Sequence, residues 1–94
     1  MTIGEAIKQI RKSKDLSQEA LADAAEITQT ALSQIENGRR PSAQTLTRLC
    51  TALNTPEPLV HLMTLEKKDV PVDKQILYDK LFPVIKGLIM EIVG

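Results

Sequence analysis

The stretch from Ser17 to Asn37, SQEALADAAEITQTALSQIEN, most constrains the fold of this chain. Its apolar residues form two groups at helical spacing, the first around Leu21 and the second from Ile27 to Ile35. A residue with a hydroxyl side chain precedes the first turn of each group, Ser17 in the first and Thr28 in the second. Each hydroxyl can cap a helix by accepting a hydrogen bond from a backbone N–H of the first turn. Only a tight turn fits between the two groups. The stretch therefore predicts two short helices joined by a turn.

The outward positions of the second helix are short, polar and uncharged, whereas a solvent-exposed helix more often carries lysine and glutamate. They are Gln29, Thr30, Ser33 and Gln34. Side chains of this kind can hydrogen-bond to base edges in the major groove of DNA. The alternative is a solvated helix face without a ligand. The pattern favours contact with DNA.

The apolar spacing predicts five helices in the first two thirds of the chain. Their expected ranges are about residues 3–14, 18 to 24 or 25, 29–37, 43–53, and 55 or 56 to 65. Thr2 and Ser42 are expected to cap the first and fourth of these helices. Gly38 is expected to end the third, because glycine readily adopts the left-handed conformation found at helix ends. No run of alternating β-branched residues predicts a strand, so the predicted fold class is all-α.

The last third of the chain begins with residues 66–72, EKKDVPV, which are polar, contain a proline and are predicted to be a linker. Asp73 is expected to cap a final helical segment over residues 73–94. Pro83 interrupts that segment, and a proline inside a helix costs about 3 kcal/mol. We therefore expect a break at which Pro83 opens a second helix, with one kinked helix as the alternative.

The final segment is apolar on more than one face, which a lone helix cannot bury. Packing on the chain's own bundle, a symmetric homodimer, or docking of another protein such as a toxin or antirepressor would each cover it. We expect the homodimer, with its interface formed by Leu77, Leu81, Phe82, Ile85, Leu88, Ile89 and Ile92. Tyr78 and Phe82 are expected to pack within the protein rather than to stack on bases.

The charge balance limits the function classes. Lysine plus arginine and aspartate plus glutamate both number 12, which argues against a strongly basic, non-specific nucleic-acid binder. All arginines lie in the first 55 residues, where the net charge is +1, whereas residues 56–94 carry −1. The N-terminal part thus has the sign that suits DNA. Neither a signal peptide nor a membrane span is apparent, so we expect a cytoplasmic protein without a membrane partner.

The residue types that often form active sites are scattered. Cys50, the single cysteine, lies on an apolar helix stripe, has no disulfide partner in the chain and is expected in the core. His61 has no neighbour at metal-ligand spacing and is expected to pack or lie at the surface. The acids have no paired base and there is no glycine-rich phosphate loop. We therefore expect neither an enzyme nor a metal or other cofactor.

Three blocks of the sequence together resemble the Cro/repressor-like helix-turn-helix family, the XRE-like group that includes lambdoid phage repressors. They are IxxxRKxxxLSQEALA at 7–22, ALSQIENGRRPS at 31–42 and TLTRLCTAL at 45–53. The resemblance covers residues 3–54 and implies a lambda-repressor-like bundle of four to five helices. It does not extend to residues 66–94, where many relatives carry different additions.

The resemblance also implies roles for single residues. Gln18 would contact phosphate, and Gln29, Thr30 and Gln34 would face base edges with Ser33 beside them. The residues that would hold the DNA backbone are Thr28, Asn37, Arg39 and Arg40. Arg11 and Glu36 would form a salt bridge, with direct DNA contact as the alternative. The family often has glycine where this chain has Glu26, so a positive φ there would carry a steric cost.

These patterns together predict a sequence-specific DNA-binding transcriptional regulator, a repressor that binds a near-palindromic operator as a homodimer. Residues 1–65 would form the helix-turn-helix domain, 66–72 the linker and 73–94 the dimerisation segment. The alternative is an antitoxin-like protein that binds a partner through its C-terminal helices and autoregulates its operon.

Overall fold

The computed structural model describes residues 1–94, which form six α-helices and no strand. The helices are α1 Ile3–Ser13, α2 Gln18–Ala24, α3 Gln29–Glu36, α4 Ala43–Ala52, α5 Glu57–Met63 and α6 Gln75–Val93. Two short 3₁₀ turns, Lys67–Asp69 and Val72–Lys74, lie between α5 and α6. None of the helices combines the length and apolar character that crossing a membrane requires. The all-α prediction is confirmed.

The first four helices begin at the predicted N-caps. In each case a side-chain hydroxyl accepts a hydrogen bond from the backbone N–H three residues later, which satisfies a donor that the helix itself leaves free. The donor–acceptor distances are 3.1 Å at Thr2, 3.0 Å at Ser17, 3.0 Å at Thr28 and 3.2 Å at Ser42. These local signals therefore set the helix starts.

The same four helices end in Schellman motifs, in which two backbone N–H groups beyond the helix bond back to its last turn. The motif places one residue at positive φ: Asp15 at 55°, Glu26 at 58°, Gly38 at 115° and Asn54 at 51°. The expectation for Glu26 is thus confirmed. A side chain in this conformation costs about 1–2 kcal/mol, so glutamate strains the turn between α2 and α3.

One apolar core joins all six helices. Its buried side chains include Ile7 on α1, Leu21 on α2, Leu32 on α3, Leu49 on α4, Val60 on α5 and Ile89 on α6. Cys50 belongs to this core, as predicted. Burial, with a smaller contribution from the negative charge of Glu57, raises the pKa of the Cys50 thiol to about 11. The thiol therefore stays protonated and packs as a small apolar side chain.

Gly4 allows α1 to approach α3 closely. A Cβ atom at this position would overlap the backbone carbonyl oxygen of Ile35. Since the obstacle is backbone, it cannot move aside as a flexible side chain would. The first turn of α1 is thereby packed directly on the C-terminal turn of α3.

The expected break at Pro83 is wrong, because α6 runs unbroken from Gln75 to Val93 with Pro83 inside it. Both halves of the helix contact the rest of the chain. These contacts favour one continuous helix, although Pro83 has no N–H to donate to the preceding turn. The Tyr78 hydroxyl donates to the Leu65 carbonyl at 3.0 Å, and Val93 lies in the core. The cap expected at Asp73 is also wrong: the N-cap position is Lys74, without a side-chain bond.

One residue of the predicted dimer interface needs correction. Ile89 is only 3% exposed and packs in the core of its own chain, because it lies on the α6 face turned toward the bundle. Phe82 is half-buried and stacks on Tyr78, with ring centroids 4.8 Å apart. Both rings thus pack within the protein, as expected. The other predicted interface residues remain at the surface: Leu77, Leu81, Ile85, Leu88 and Ile92.

Candidate nucleic-acid interface

The predicted base-contacting face of α3 lies at the surface. Leu32 and Ile35 anchor the opposite face of this helix in the core. Gln29, Thr30 and Gln34 are exposed, and Ser33 is half-buried. The helix therefore presents a polar ridge that carries no charged side chain, supported from below by the core.

Gln18 joins this ridge from α2. It lines one open surface depression together with Gln29, Thr30, Ser33 and Gln34. Gln18 is the first residue of α2, whose N-terminus therefore borders the polar face of α3. The structure thus brings five of the nine predicted DNA-binding residues onto one surface, which can offer both donors and acceptors to a ligand.

A buried ion pair underlies this surface. Arg11 binds Glu36 through two bonds, Nε to Oε2 at 2.7 Å and Nη2 to Oε1 at 2.9 Å. A third donor, Nη1, bonds the Leu16 carbonyl at 2.8 Å, and Gln18 Nε2 donates to Glu36 Oε1 at 3.0 Å. The predicted structural pairing is confirmed. It links α1 to the end of α3 and holds the Gln18 amide beside the polar ridge.

The charge state of Glu36 follows from these contacts. Burial by itself raises the pKa of this carboxyl group, but hydrogen bonds from Arg11 and Gln18 and the positive charge of Arg11 outweigh that effect. The pKa of Glu36 therefore lies below its ordinary value. The carboxylate stays ionised at neutral pH and keeps accepting the bond from Gln18.

The loop after α3 carries the two predicted arginines. Arg39 and Arg40 are both exposed, and they line a surface groove shared with Thr2 and Gly4 at the start of α1. Arg39 Nη1 donates to Gln34 Oε1 at 2.6 Å, whereas the Arg40 side chain makes neither a hydrogen bond nor an ion pair. The two side chains thus differ in their surroundings although they are neighbours in sequence.

The two remaining predicted residues lie at the ends of α3. Thr28 is its N-cap, and its hydroxyl accepts the bond from Ala31. Asn37 is the C-cap and is exposed. Their positions flank the polar ridge.

Two bonds that orient glutamines were not predicted from the sequence, Gln18 to Glu36 and Gln34 to Arg39. A signal for the second was present. Asn37-Gly38 predicts a helix end, and a Schellman motif there brings the residue after the glycine, Arg39, beside Gln34. No comparable local signal exists for the first, because Gln18 and Glu36 are joined only by the tertiary packing of α2 on α3.

Comparison with known proteins places the chain in a class that this geometry fits. The helix-turn-helix family model matches residues 7–60, more than half of the chain. The protein belongs to the helix-turn-helix family, in its XRE-like group, and is a DNA-binding transcriptional regulator.

A particular relative is the ImmF control region 10 kDa protein of Bacillus phage phi105. It is 37% identical over 79 residues, which cover 83% of this chain and 82% of the relative. The similarity therefore extends beyond the matched helix-turn-helix region. No solved structure gave a significant match.

Proposed function

We propose that this protein is a repressor that binds a near-palindromic operator as a homodimer. The observation that carries the proposal is the exposed, uncharged polar face of α3, with two guanidinium groups on the adjoining loop. Polar amide and hydroxyl groups distinguish base edges in the major groove, whereas cationic groups bind any phosphate. Their arrangement suits sequence-specific binding.

Within this surface we assign two tasks. Base contacts come from α3, through Gln29, Thr30, Ser33 and Gln34. Contacts that hold the DNA backbone come from the flanking residues Gln18, Thr28, Asn37, Arg39 and Arg40. Gln18 uses one hydrogen of its amide for Glu36, and the second remains for a phosphate oxygen.

The apolar stripe of α6 supports the homodimer. Leu77, Leu81, Val84 and Leu88 follow one another at spacings of four, three and four residues and are all more than half exposed. This is the spacing of the seam between two packed helices. A second copy carries the same stripe, so a two-fold axis would pair the stripes and remove the patch from water.

A homodimer also supplies what one small DNA-binding surface lacks. Two copies of α3 can enter successive major grooves about 34 Å apart, which doubles the contacts with the operator. Because α6 is anchored in the core through Ile89 and Val93, pairing through its outer face would fix the two binding surfaces relative to each other. The operator would then share the two-fold symmetry of the protein.

The regulatory part of the proposal has a separate support. The phage relative is named for a control region, which supports a role of this chain in regulating gene expression. Binding of an operator that overlaps a promoter would block polymerase, and we therefore propose repression. A cytoplasmic location follows from this function.

Selection of bound sites from random duplex DNA tests the proposal. We expect an inverted repeat whose half-site centres lie about 10 base pairs apart, or a multiple of that distance. Replacing both Arg39 and Arg40 by alanine should flatten the salt dependence of affinity, because each phosphate contact contributes about −0.9 to the log–log slope. Enrichment of no sequence, or of a single asymmetric half-site, would contradict the proposal.

The exposed stripe on α6 also suits an antitoxin-like protein, in which a different protein covers it. Sedimentation of the purified chain separates the two functions. A stable particle of twice the chain mass of 10.4 kDa favours the homodimeric repressor. A monomer that assembles only with a small co-purifying protein favours the antitoxin-like function.

A further inference from the structure

Arg39 and Gln34 form a side-chain pair at the C-terminal end of α3. Arg39 Nη1 donates to Gln34 Oε1 at 2.6 Å. Arginine has hydrogen-bond donors only, so the group of Gln34 that faces it must be the amide oxygen. The oxygen of this amide therefore points to the loop, and its NH₂ group stays available to donate to a base.

A backbone hydrogen bond brings these two residues together. The Arg39 N–H donates to the Gln34 carbonyl at 3.0 Å in the Schellman motif that ends α3, and Gly38 makes the motif possible with φ of 115°. An exposed side-chain bond alone is weak. Here the cap already sets the backbone of Arg39 beside Gln34, so only side-chain freedom is lost when the two side chains meet.

We propose that Arg39 orients Gln34 so that the pair presents N–H donors and selects bases with a carbonyl oxygen in the major groove, guanine and thymine, over adenine and cytosine. Adenine and cytosine carry an amino group at the corresponding place. A free glutamine pairs with adenine by accepting from that amino group, but here the oxygen already faces a cation. This inference rests on the proposed function, in which Gln34 contacts a base.

The same surface provides two internal comparisons. Gln29 makes no side-chain hydrogen bond. Its amide can therefore both donate and accept, as pairing with adenine requires. Arg40 lies next to Arg39 in the loop, but its side chain makes neither a hydrogen bond nor an ion pair, so all of its donors can bind phosphate. Arg39 thus positions Gln34 for specificity through its Nη1 group, in addition to its proposed contact with the DNA backbone, whereas Arg40 contributes to affinity alone.

Site selection from random duplex DNA with the full chain and its variants tests the inference. Gln34→Ala should remove the preference at one position of each half-site, which identifies the base that Gln34 contacts. At that position the wild type should prefer guanine or thymine about tenfold, the size expected of a good base contact. Arg39→Ala should reduce the preference to about threefold or less and admit adenine.

Two further variants separate orientation from charge. Arg39→Lys should keep the preference, because lysine also only donates. Arg40→Ala should weaken binding to all sites about equally and leave the base profile unchanged, the behaviour of a phosphate contact. Circular dichroism should show unchanged helix content in Arg39→Ala, since the substitution retains the backbone N–H of the cap.

If the wild type enriches an operator and Arg39→Ala enriches the same base at every position, this inference is wrong and the proposed function stands. The same holds if adenine is preferred at the Gln34 position. If Gln34→Ala changes no position of an operator that the wild type enriches, this inference is wrong together with the assignment of Gln34 as a base contact, and the repressor function stands. A wild-type protein that enriches no sequence would overturn the proposed function and this inference together.

Discussion

The bundle of α1–α4 and the long helix α6 bury their apolar side chains to different extents. Ile7, Leu32 and Leu49 are fully buried in the bundle, whereas Leu81 and Leu88 on α6 are 53% and 55% exposed. Each of the first four helices has a side-chain cap at its start and a Schellman motif at its end. The start of α6 has no such cap.

This difference shows which part of the molecule buries its apolar side chains within one chain and which part does not. In the bundle, caps hydrogen-bond the backbone groups at the helix ends, and the apolar faces are buried against one another. We therefore expect its stability to depend on residues of the same chain. The outer face of α6 is left without a partner, so its stripe should matter for association.

Replacing Arg11 by methionine should have the largest effect on the bundle. It would leave the buried Glu36 carboxylate without its charge partner and destabilise the protein by about 3–5 kcal/mol. Urea unfolding measures the loss. Lys12→Met, on the exposed side of α1, is the matched control and should change stability by about 0.5 kcal/mol or less. A loss below about 1 kcal/mol for Arg11→Met would contradict the claim that the buried Arg11–Glu36 pair stabilises the bundle.

Aspartates at Leu81 and Leu88 should abolish the proposed association without unfolding the bundle. Hot-spot residues at the centre of an interface cost about 2 kcal/mol or more each when lost, so the double variant should dissociate about a thousandfold more readily. Analytical ultracentrifugation across a concentration series measures this. Lys80→Ser, an exposed change outside the stripe, should leave the mass unchanged. If the double variant sediments like the wild type, the stripe is not the interface.

Alanine at Gly4 should destabilise the bundle by about 1–3 kcal/mol, the usual cost of overpacking, because its methyl group would meet the Ile35 carbonyl. Gly87 provides a control in α6, since a Cβ there meets no atom within 4 Å. Gly87→Ala should stabilise the protein by up to about 1 kcal/mol through helix propensity. Thermal unfolding of both variants shows whether the two changes have opposite signs.

Acid should weaken the bundle through Glu36. Its pKa is lowered in the folded protein, so at acidic pH the unfolded state binds the proton more readily. The resulting stability is present above the ordinary glutamate pKa and is lost as the pH falls through the lower, folded value. Urea midpoints at a series of acidic pH values should therefore fall less in Arg11→Met than in the wild type. Equal slopes would remove Glu36 as a source of the pH dependence.

Glycine at Glu26 should give the smallest effect. It would relieve the positive φ of 58°, although glycine also loses more backbone freedom on folding. We expect a net stabilisation of about 1 kcal/mol or less, measured by thermal unfolding. Asp23→Gly, inside α2, should instead destabilise by a similar amount. Destabilisation by Glu26→Gly would mean that the glutamate side chain contributes more than its strain costs.

Sequence signals predicted the bundle because they are local. Thr2 and Ser42 each cap the turn that follows them, and the apolar spacing of α1–α4 is set within single helices. The Arg11–Glu36 pair, which spans 25 residues, came only from the family resemblance. The nine DNA-binding assignments stay predictions, although five of these side chains line one surface.

Sequence signals failed where packing between distant segments decides the outcome. Pro83 alone predicts a break, but contacts at both ends of α6 keep it continuous. Ile89 belongs to the same apolar segment as Leu88, and only the placement of α6 on the bundle turns one inward and the other outward. Residues 66–72 contain a 3₁₀ turn whose Lys67 pairs with Asp79 of α6 at 2.9 Å, a contact that no local pattern predicts.

Competition between the selected operator and an unrelated duplex of equal length, at physiological salt, tests the central claim most directly. If α3 contacts bases in a homodimer, the wild type should prefer the operator by a factor of about 10³ or more. Gln29→Ala should lower that ratio about tenfold or more with folding unchanged. Equal binding of both duplexes by the wild type, or an unchanged ratio in Gln29→Ala, would contradict the claim that this polar face determines specificity.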